Sequence, residues 1–156
     1  MITDASVRLA TSADAEAIAA MSRDYIEQGL GWSWNAARVQ RSILDADSNV
    51  AVVRESGNIL AFGIMKYREE VAHLLLFAVR RSHQRQGIGS LVLRWLESVA
   101  LASGVTRIDL ECRRDNPAAR NFYCEHGYHE HVISRGYYGG VKDAVRLEKW
   151  LVPPAD

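Results

Sequence analysis

The sequence predicts an α/β fold in which helices pack on a mixed, mostly antiparallel central sheet. Three observations lead there. Segments with helical spacing, among them Ile88, Leu91, Val92, Trp95, Leu96 and Val99, alternate along the chain with segments of strand character. Ser56-Gly57-Asn58 and Arg68-Glu69-Glu70 are turns too short for a crossover, so the strands they join double back on each other. Ser103-Gly104 and Asn116-Pro117 mark one helix end and one helix start, with room for a strand between them. The resulting order is βααβββαβαββ.

Taken in order, Val7 and Leu9 sit in a short apolar segment that reads as an edge strand. Thr11 or Ser12 is placed to cap a helix to about residue 28, with Ala17, Ile18, Met21 and Tyr25 on one face. Gly29-Leu30-Gly31 stops it, and Ser33 is placed to cap a second helix carrying Val39, Ile43 and Leu44. Residues 49–55 and 59–67 form a hairpin, and the apolar run 71–79 reads as a buried strand. A helix follows to about Ser103. In 105–112, Ile108, Leu110 and Cys112 share one face and Arg107, Asp109 and Glu111 the other, which leaves Glu111 solvated unless chemistry claims it. Asn116 caps a helix with Pro117 in its first turn, and Gly127 ends it. Strands at 128–134 and 141–150 close the chain around a loop at 135–140. Residues 1–152 are expected to form one domain, with 153–156 as a tail.

The chain of 156 residues is long enough to bury roughly 70% of its unfolded surface. Its 19 basic and 19 acidic side chains balance, so no overall field favours nucleic acid or an anionic membrane. Neither a leader-type stretch nor an apolar run of spanning length is seen, and a cytoplasmic monomer or homodimer is expected. Cys112 and Cys124 make neither a metal spacing nor a disulfide framework. His129 and His131 share a strand face, but no carboxylate or thiolate stands at ligand spacing, so no metal is expected.

The chain is organised around Phe77-Ala78-Val79, the basic stretch Arg80-Arg81-Ser82-His83, and Gln84-Arg85-Gln86-Gly87-Ile88-Gly89-Ser90 at a helix start. Glycines let a ligand approach the backbone, and the first helical N–H groups have no partner inside the helix. With the helix dipole and Arg80, Arg81 and Arg85 nearby, this is an anion site suited to a phosphorylated ligand. It is not a P-loop, and Val92 stands where the dinucleotide fingerprint needs its third glycine.

Gln84-x-x-Gly87-x-Gly89 after a strand resembles the acetyl-CoA pyrophosphate loop of the GCN5-related N-acetyltransferase (GNAT) family, and the element order resembles that fold across nearly the whole chain. The resemblance implies helices on both sheet faces, acetyl-CoA as co-substrate and no metal. Asn116-x-x-Ala119-x-x-x-Tyr123 resembles the family's second cofactor segment, which implies contacts of Asn116 with the pantetheine arm and of Tyr123 with the thioester sulfur. Leu110-Glu111-Cys112-Arg113, Tyr137-Tyr138 and Asp143-Ala144 resemble the subgroup of ribosomal-protein N-terminal alanine acetyltransferases. That likeness implies Glu111 as base, Tyr123 as acid, and an acceptor flanked by Trp32, Trp34, Tyr137 and Tyr138. Trp34, the short Gly139-Gly140-Val141 loop and Leu76-Phe77 in the central strand depart from the subgroup, and the Phe77 ring is placed to narrow the acceptor channel.

The chemistry agrees with those roles. An attacking amine must be neutral: a free α-amine with pKa about 7.8 is roughly one tenth neutral at pH 7, whereas a lysine costs about 4–5 kcal/mol to deprotonate there. Glu111 can accept the proton, Tyr123 can give one to a thiolate, and main-chain N–H groups at the end of the 71–79 strand can polarise a carbonyl. Glu69, Glu70 and His73 are alternative bases. The expected acceptor is a primary amine, either a peptide N-terminus or a small molecule; the alternative is a non-catalytic CoA-binding module of the same fold.

Overall fold

Strand β1 (Arg8–Leu9) is followed by helices α1 (Ala15–Tyr25) and α2 (Ala36–Leu44), then by strands β2 (Ser48–Glu55), β3 (Asn58–Arg68) and β4 (Val71–Val79). Helix α3 (Ile88–Ala102), strand β5 (Arg107–Arg113), helix α4 (Pro117–Glu125) and strands β6 (His129–Tyr138) and β7 (Lys142–Trp150) complete the order read from the sequence. These come from a computed structural model that describes residues 2–3 and 6–154. The seven strands make one sheet in the order β1-β2-β3-β4-β5-β7-β6. Every pairing is antiparallel except β4 with β5, which are joined through α3 and run parallel.

Two apolar layers hold the helices to opposite faces. On one, Val92, Leu93 and Leu96 of α3 pack with Met65, Leu74, Ile108 and Leu147, and Tyr123 of α4 joins them. On the other, Ile18 and Met21 of α1 and Val39 of α2 pack with Phe62, Ile64 and Leu76. Gly63 lets α3 lie close on β3, since a Cβ there would stand 2.7 Å from Leu96 Cδ1.

Several boundaries differ from the sequence expectation. The first helix begins with a tight turn at Ser12–Asp14, where Asp14 accepts from the Thr11 amide at 2.8 Å and pairs with Arg54 at 2.6 Å. It ends at Tyr25, and Ala17 faces solvent rather than the sheet. Asn35, not Ser33, caps α2 by accepting from the Arg38 amide at 3.0 Å. Ser33 is drawn off by Glu27, which accepts from both its amide and its hydroxyl at 2.8 Å. Strand β6 runs through Tyr138, so the two tyrosines end a strand rather than sit in the loop.

The feature that opens a site lies in β4. Ile64 pairs with Leu76 and Met65 with Leu74, so Leu75 is an extra residue on β4, a β-bulge. Before it, Ala72 and Leu74 face α3; after it, Leu76 and Ala78 face α1 and α2 while Phe77 and Val79 face α3. Pairing of β4 with β5 also stops here, at Leu74 and Leu110. Beyond that point the two strands part, and among the described residues the backbone from Leu75 onward has no strand partner on that side.

Candidate active site

A cavity of about 400 Å³ fills the gap between the parted strands. Its walls are the end of α1 and the residues that follow it, His73 to Phe77 around the bulge of β4, the end of β5, Asn116, Ala119 and Tyr123 of α4 and its cap, and Tyr137 and Tyr138 of β6. Arg113 straps the rim, donating to the carbonyls of Ile26 and Gln28 from across the opening.

Glu111 is not solvated with its strand neighbours. Arg107 and Asp109 pair with each other at 2.8 Å, while the Glu111 side chain is 5% exposed and holds two other partners. His73 Nε2 meets one carboxylate oxygen, and Arg146 Nε donates to the other at 3.1 Å. Register accounts for both contacts: Glu111 stands opposite Arg146 on β7, and His73 lies opposite Asp109 on β4, one alternation away on the same face. Burial raises the Glu111 pKa, but the His73 hydrogen bond and charge, followed by Arg146, outweigh it and leave the carboxyl below its ordinary 4.5.

Tyr123 is 6% exposed, and among the described residues its hydroxyl makes no hydrogen bond. It lines the cavity, and burial holds its pKa above the ordinary 10.0. Phe77 stacks on Phe122 at 5.5 Å with its edge toward Tyr123 at 6.1 Å, which draws the ring to the α3–α4 side of the gap. Cys112 also reaches the cavity, and burial pushes its thiol up to about 12, far from a thiolate.

Other expected residues fall into three groups. Trp34, Asn116, Tyr137 and Tyr138 line the cavity; Asn116 also caps α4 by accepting from Ala119 at 3.1 Å. Trp34 is largely core, 8% exposed, with the Arg38 guanidinium 3.8 Å over its ring. Trp32 does not line the cavity: its indole N–H donates to the Ala19 carbonyl at 3.2 Å, and Arg23 lies over its ring. Of the alternative bases, only His73 lines the cavity, and it is joined to Glu111; Glu69 and Glu70 form the exposed β3–β4 turn.

Ala78, Val79, the loop 84–87 and the start of α3 at Ile88 to Ser90 lie beyond the cavity, where β4 runs out toward α3. Gln84 Nε2 donates to the Val79 carbonyl at 3.1 Å, tying the loop to the strand end. Arg85 and Gly87 both have left-handed backbones, at φ +65° and +79°, which turn the chain into α3. A Cβ on Gly89 would stand 3.0 Å from Val79 Cγ2 and 3.4 Å from the Phe122 ring. Gly89 therefore brings α3 down onto β4 and α4. The first full helical bond runs from the Leu91 amide to the Gly87 carbonyl at 3.1 Å, so the amides of Ile88, Gly89 and Ser90 precede it. These bare amides and the unpaired edge of β4 fit a long ligand with a diphosphate at one end and an extended arm at the other. The Ser90 hydroxyl meets His126 Nε2 at 2.8 Å.

Two contributors had no signal in the sequence. Arg146 reaches Glu111 only through strand register. Glu27, 7% exposed, accepts from Ser22, Ser33 and Trp34 and so shapes the connection between α1 and α2.

The family model described as acetyltransferase (GNAT) family matches residues 16–128. The chain belongs to this family. The GNAT chain is 35% identical over 94 residues to [Ribosomal protein bS18]-alanine N-acetyltransferase of Escherichia coli K12, an alignment covering 58% of this chain and 64% of that protein. The chain thus spans under two thirds of the length of that relative in sequence. Among solved structures, the ribosomal-protein-S18-alanine N-acetyltransferase from Escherichia coli superposes with a TM-score of 0.78 at 25% identity, over 96% of each chain. The PaiA N-acetyltransferase from Thermoplasma acidophilum, solved in complex with coenzyme A, has a TM-score of 0.77 at 17% identity over 92% of this chain and 97% of its own, a likeness of fold. The expected GNAT fold, with helices on both faces of the sheet, is therefore the fold observed. Among the described residues, no helix is long and apolar enough to cross a membrane.

Proposed function

We propose that this chain is an acetyl-CoA-dependent N-acetyltransferase that moves an acetyl group directly to a primary amine, with a peptide N-terminal α-amine as acceptor. The observation that carries the reading is the parting of β4 from β5 at Leu74 and Leu110, which opens onto a cavity lined by the Glu111 carboxylate, its side chain 5% exposed, and by the Tyr123 phenol. Family membership and relatives named as N-acetyltransferases support it.

Acetyl-CoA, when bound, supplies the thioester, and the residues suited to hold it are the α3 amides at Ile88, Gly89 and Ser90, the free edge of β4, and Asn116. Glu111 takes the proton from the attacking amine. Its pKa, held below the ordinary value by His73 and Arg146 against burial, keeps it ionised at neutral pH. His73 and Arg146 also fix the two oxygens in place. Tyr123 carries its proton on Oη in the cavity with no hydrogen-bond partner among the described residues, and burial holds it protonated through the working pH range. That proton is what a departing thiolate requires. Main-chain N–H groups along the unpaired stretch of β4 are the donors available to polarise a carbonyl.

An α-amine suits this base because about a tenth of it is already neutral at pH 7. Trp34, Tyr137 and Tyr138 provide an aromatic wall for the first acceptor residues. We read residues 1–152 as one domain working in the cytoplasm on amines, not on nucleic acid or membrane.

The test is CoA-thiol release with acetyl-CoA and a panel of peptides, polyamines and amino acids. Turnover on peptides with free α-amines, and none on the same peptides N-acetylated, is expected. Tight acetyl-CoA binding with no turnover on any amine would make the chain a CoA-binding module.

A further inference from the structure

Beside the cavity runs a second groove of about 490 Å³, and the two share Trp34, Arg38, His73 and Leu75 as a common wall. The groove carries four fixed cations, Arg38, Arg41, Lys66 and Arg68, against one carboxylate, Asp45. Asp45 is already committed: it accepts from Lys66 Nζ, from the Asp47 amide at 3.0 Å and from the Ser48 hydroxyl at 2.8 Å, which bring its pKa to about 2. Among the described residues, Arg38, Arg41 and Arg68 pair with no carboxylate. Arg41 and Arg68 are exposed, and Arg38 lies over Trp34 at the junction of groove and cavity. A chain of zero formal charge thus concentrates unneutralised guanidinium groups at one exit of its site.

We propose that this groove binds acidic side chains of the acceptor, in the residues that follow the acetylated amine. The inference rests on the N-acetyltransferase reading above and adds the acceptor's chemical class. An extended peptide whose amine meets the Glu111–His73 pair can leave along the shared wall, since His73 itself lines both spaces. Its next side chains then pass Arg38 and enter the groove. Guanidinium forks bind carboxylates in a geometry that ammonium groups do not match, and three unpaired forks favour an acidic segment over a neutral one.

The experiment has two arms. In the first, peptides with the same N-terminal residue carry acidic, amide or basic residues at the following positions, and kcat/KM is measured for each. The acidic peptide should exceed its amide counterpart by about tenfold at low ionic strength, mainly through KM, with the ratio shrinking as salt is raised. Arg41→Glu with Arg68→Glu, both at exposed positions, should bring the ratio to one or below. Equal kcat/KM for all peptides, or a ratio untouched by the double variant, overturns the proposal. In the second arm, fluorescence anisotropy follows a labelled acidic peptide binding to CoA-saturated protein. Binding that depends on Arg41 and Arg68 without acetylation of any peptide supports the groove and sinks the enzymatic reading. Acetylation without an acidic preference does the reverse. A single-stranded RNA of equal charge that binds more tightly than the acidic peptide also overturns it.

Discussion

Replacing Glu111 with Gln tests the site where its elements converge. The amide keeps the shape of the carboxylate and its hydrogen-bonding reach to His73 and Arg146, but it cannot accept a proton. Two costs follow, and their sizes separate them. The stability cost is the loss of one buried charge between partners that are themselves 34% and 46% exposed, which after screening amounts to about 1 kcal/mol. The catalytic cost is that of a missing general base, about 10²–10⁴ in rate. At about 1.4 kcal/mol per tenfold, that corresponds to roughly 3–5 kcal/mol in the transition state. The assay is steady-state thiol release on a peptide acceptor well below the melting temperature, beside calorimetric binding of acetyl-CoA. The expected result is a fall in kcat of at least a hundredfold with acetyl-CoA affinity within twofold of the parent. The parent's rate should also fall as pH drops through the Glu111 pKa, below 4.5, a limb that the variant lacks. A kcat within threefold of the parent, or lost cofactor binding with a preserved rate per bound enzyme, refutes the assignment of the base.

Tyr123→Phe should lower kcat by about 10²-fold with Tm unchanged, because among the described residues the hydroxyl has no partner to lose; a rate equal to the parent's removes Tyr123 from the mechanism. Gly89→Ala inserts a methyl 3.0 Å from Val79 and 3.4 Å from Phe122, so it should cost about 1–3 kcal/mol by chemical denaturation and weaken acetyl-CoA binding as the α3 amides shift. Asp14→Asn should cost about 1–2 kcal/mol at pH 7, since Asp14 caps the first turn and pairs with Arg54. The Arg54 hydrogen bonds depress the Asp14 pKa below 3.8, so its contribution is full above that value and fades as pH falls through the folded pKa. The stability curves of parent and variant should therefore converge in acid, and a gap that stays constant as pH falls assigns the effect to packing.

The element order, the glycine loop and the Asn-Pro cap were readable because each rests on local geometry: hydrophobic period, left-handed backbone at Gly87, and a side chain closing the first turn of α4. Glu111 and Tyr123 were readable as candidates through resemblance, and the fold brings both to one cavity. The solvated reading of Glu111 did not survive, because burial on a strand face depends on what the neighbouring strands carry. Trp32 looked like its neighbour Trp34 in sequence, yet a single hydrogen bond to the Ala19 carbonyl takes it out of the cavity lining.

Local residue pattern thus settled which segments are strands, which are helices and where the glycine turn opens α3, since those choices depend on contacts a few residues apart. Tertiary structure alone decided the bulge at Leu75, the parting of β4 from β5 and the union of His73, Glu111 and Arg146. The apolar run 71–79 carries no alternation from which a change of face can be read, and register between strands 35 and 38 residues apart is set by the packed sheet.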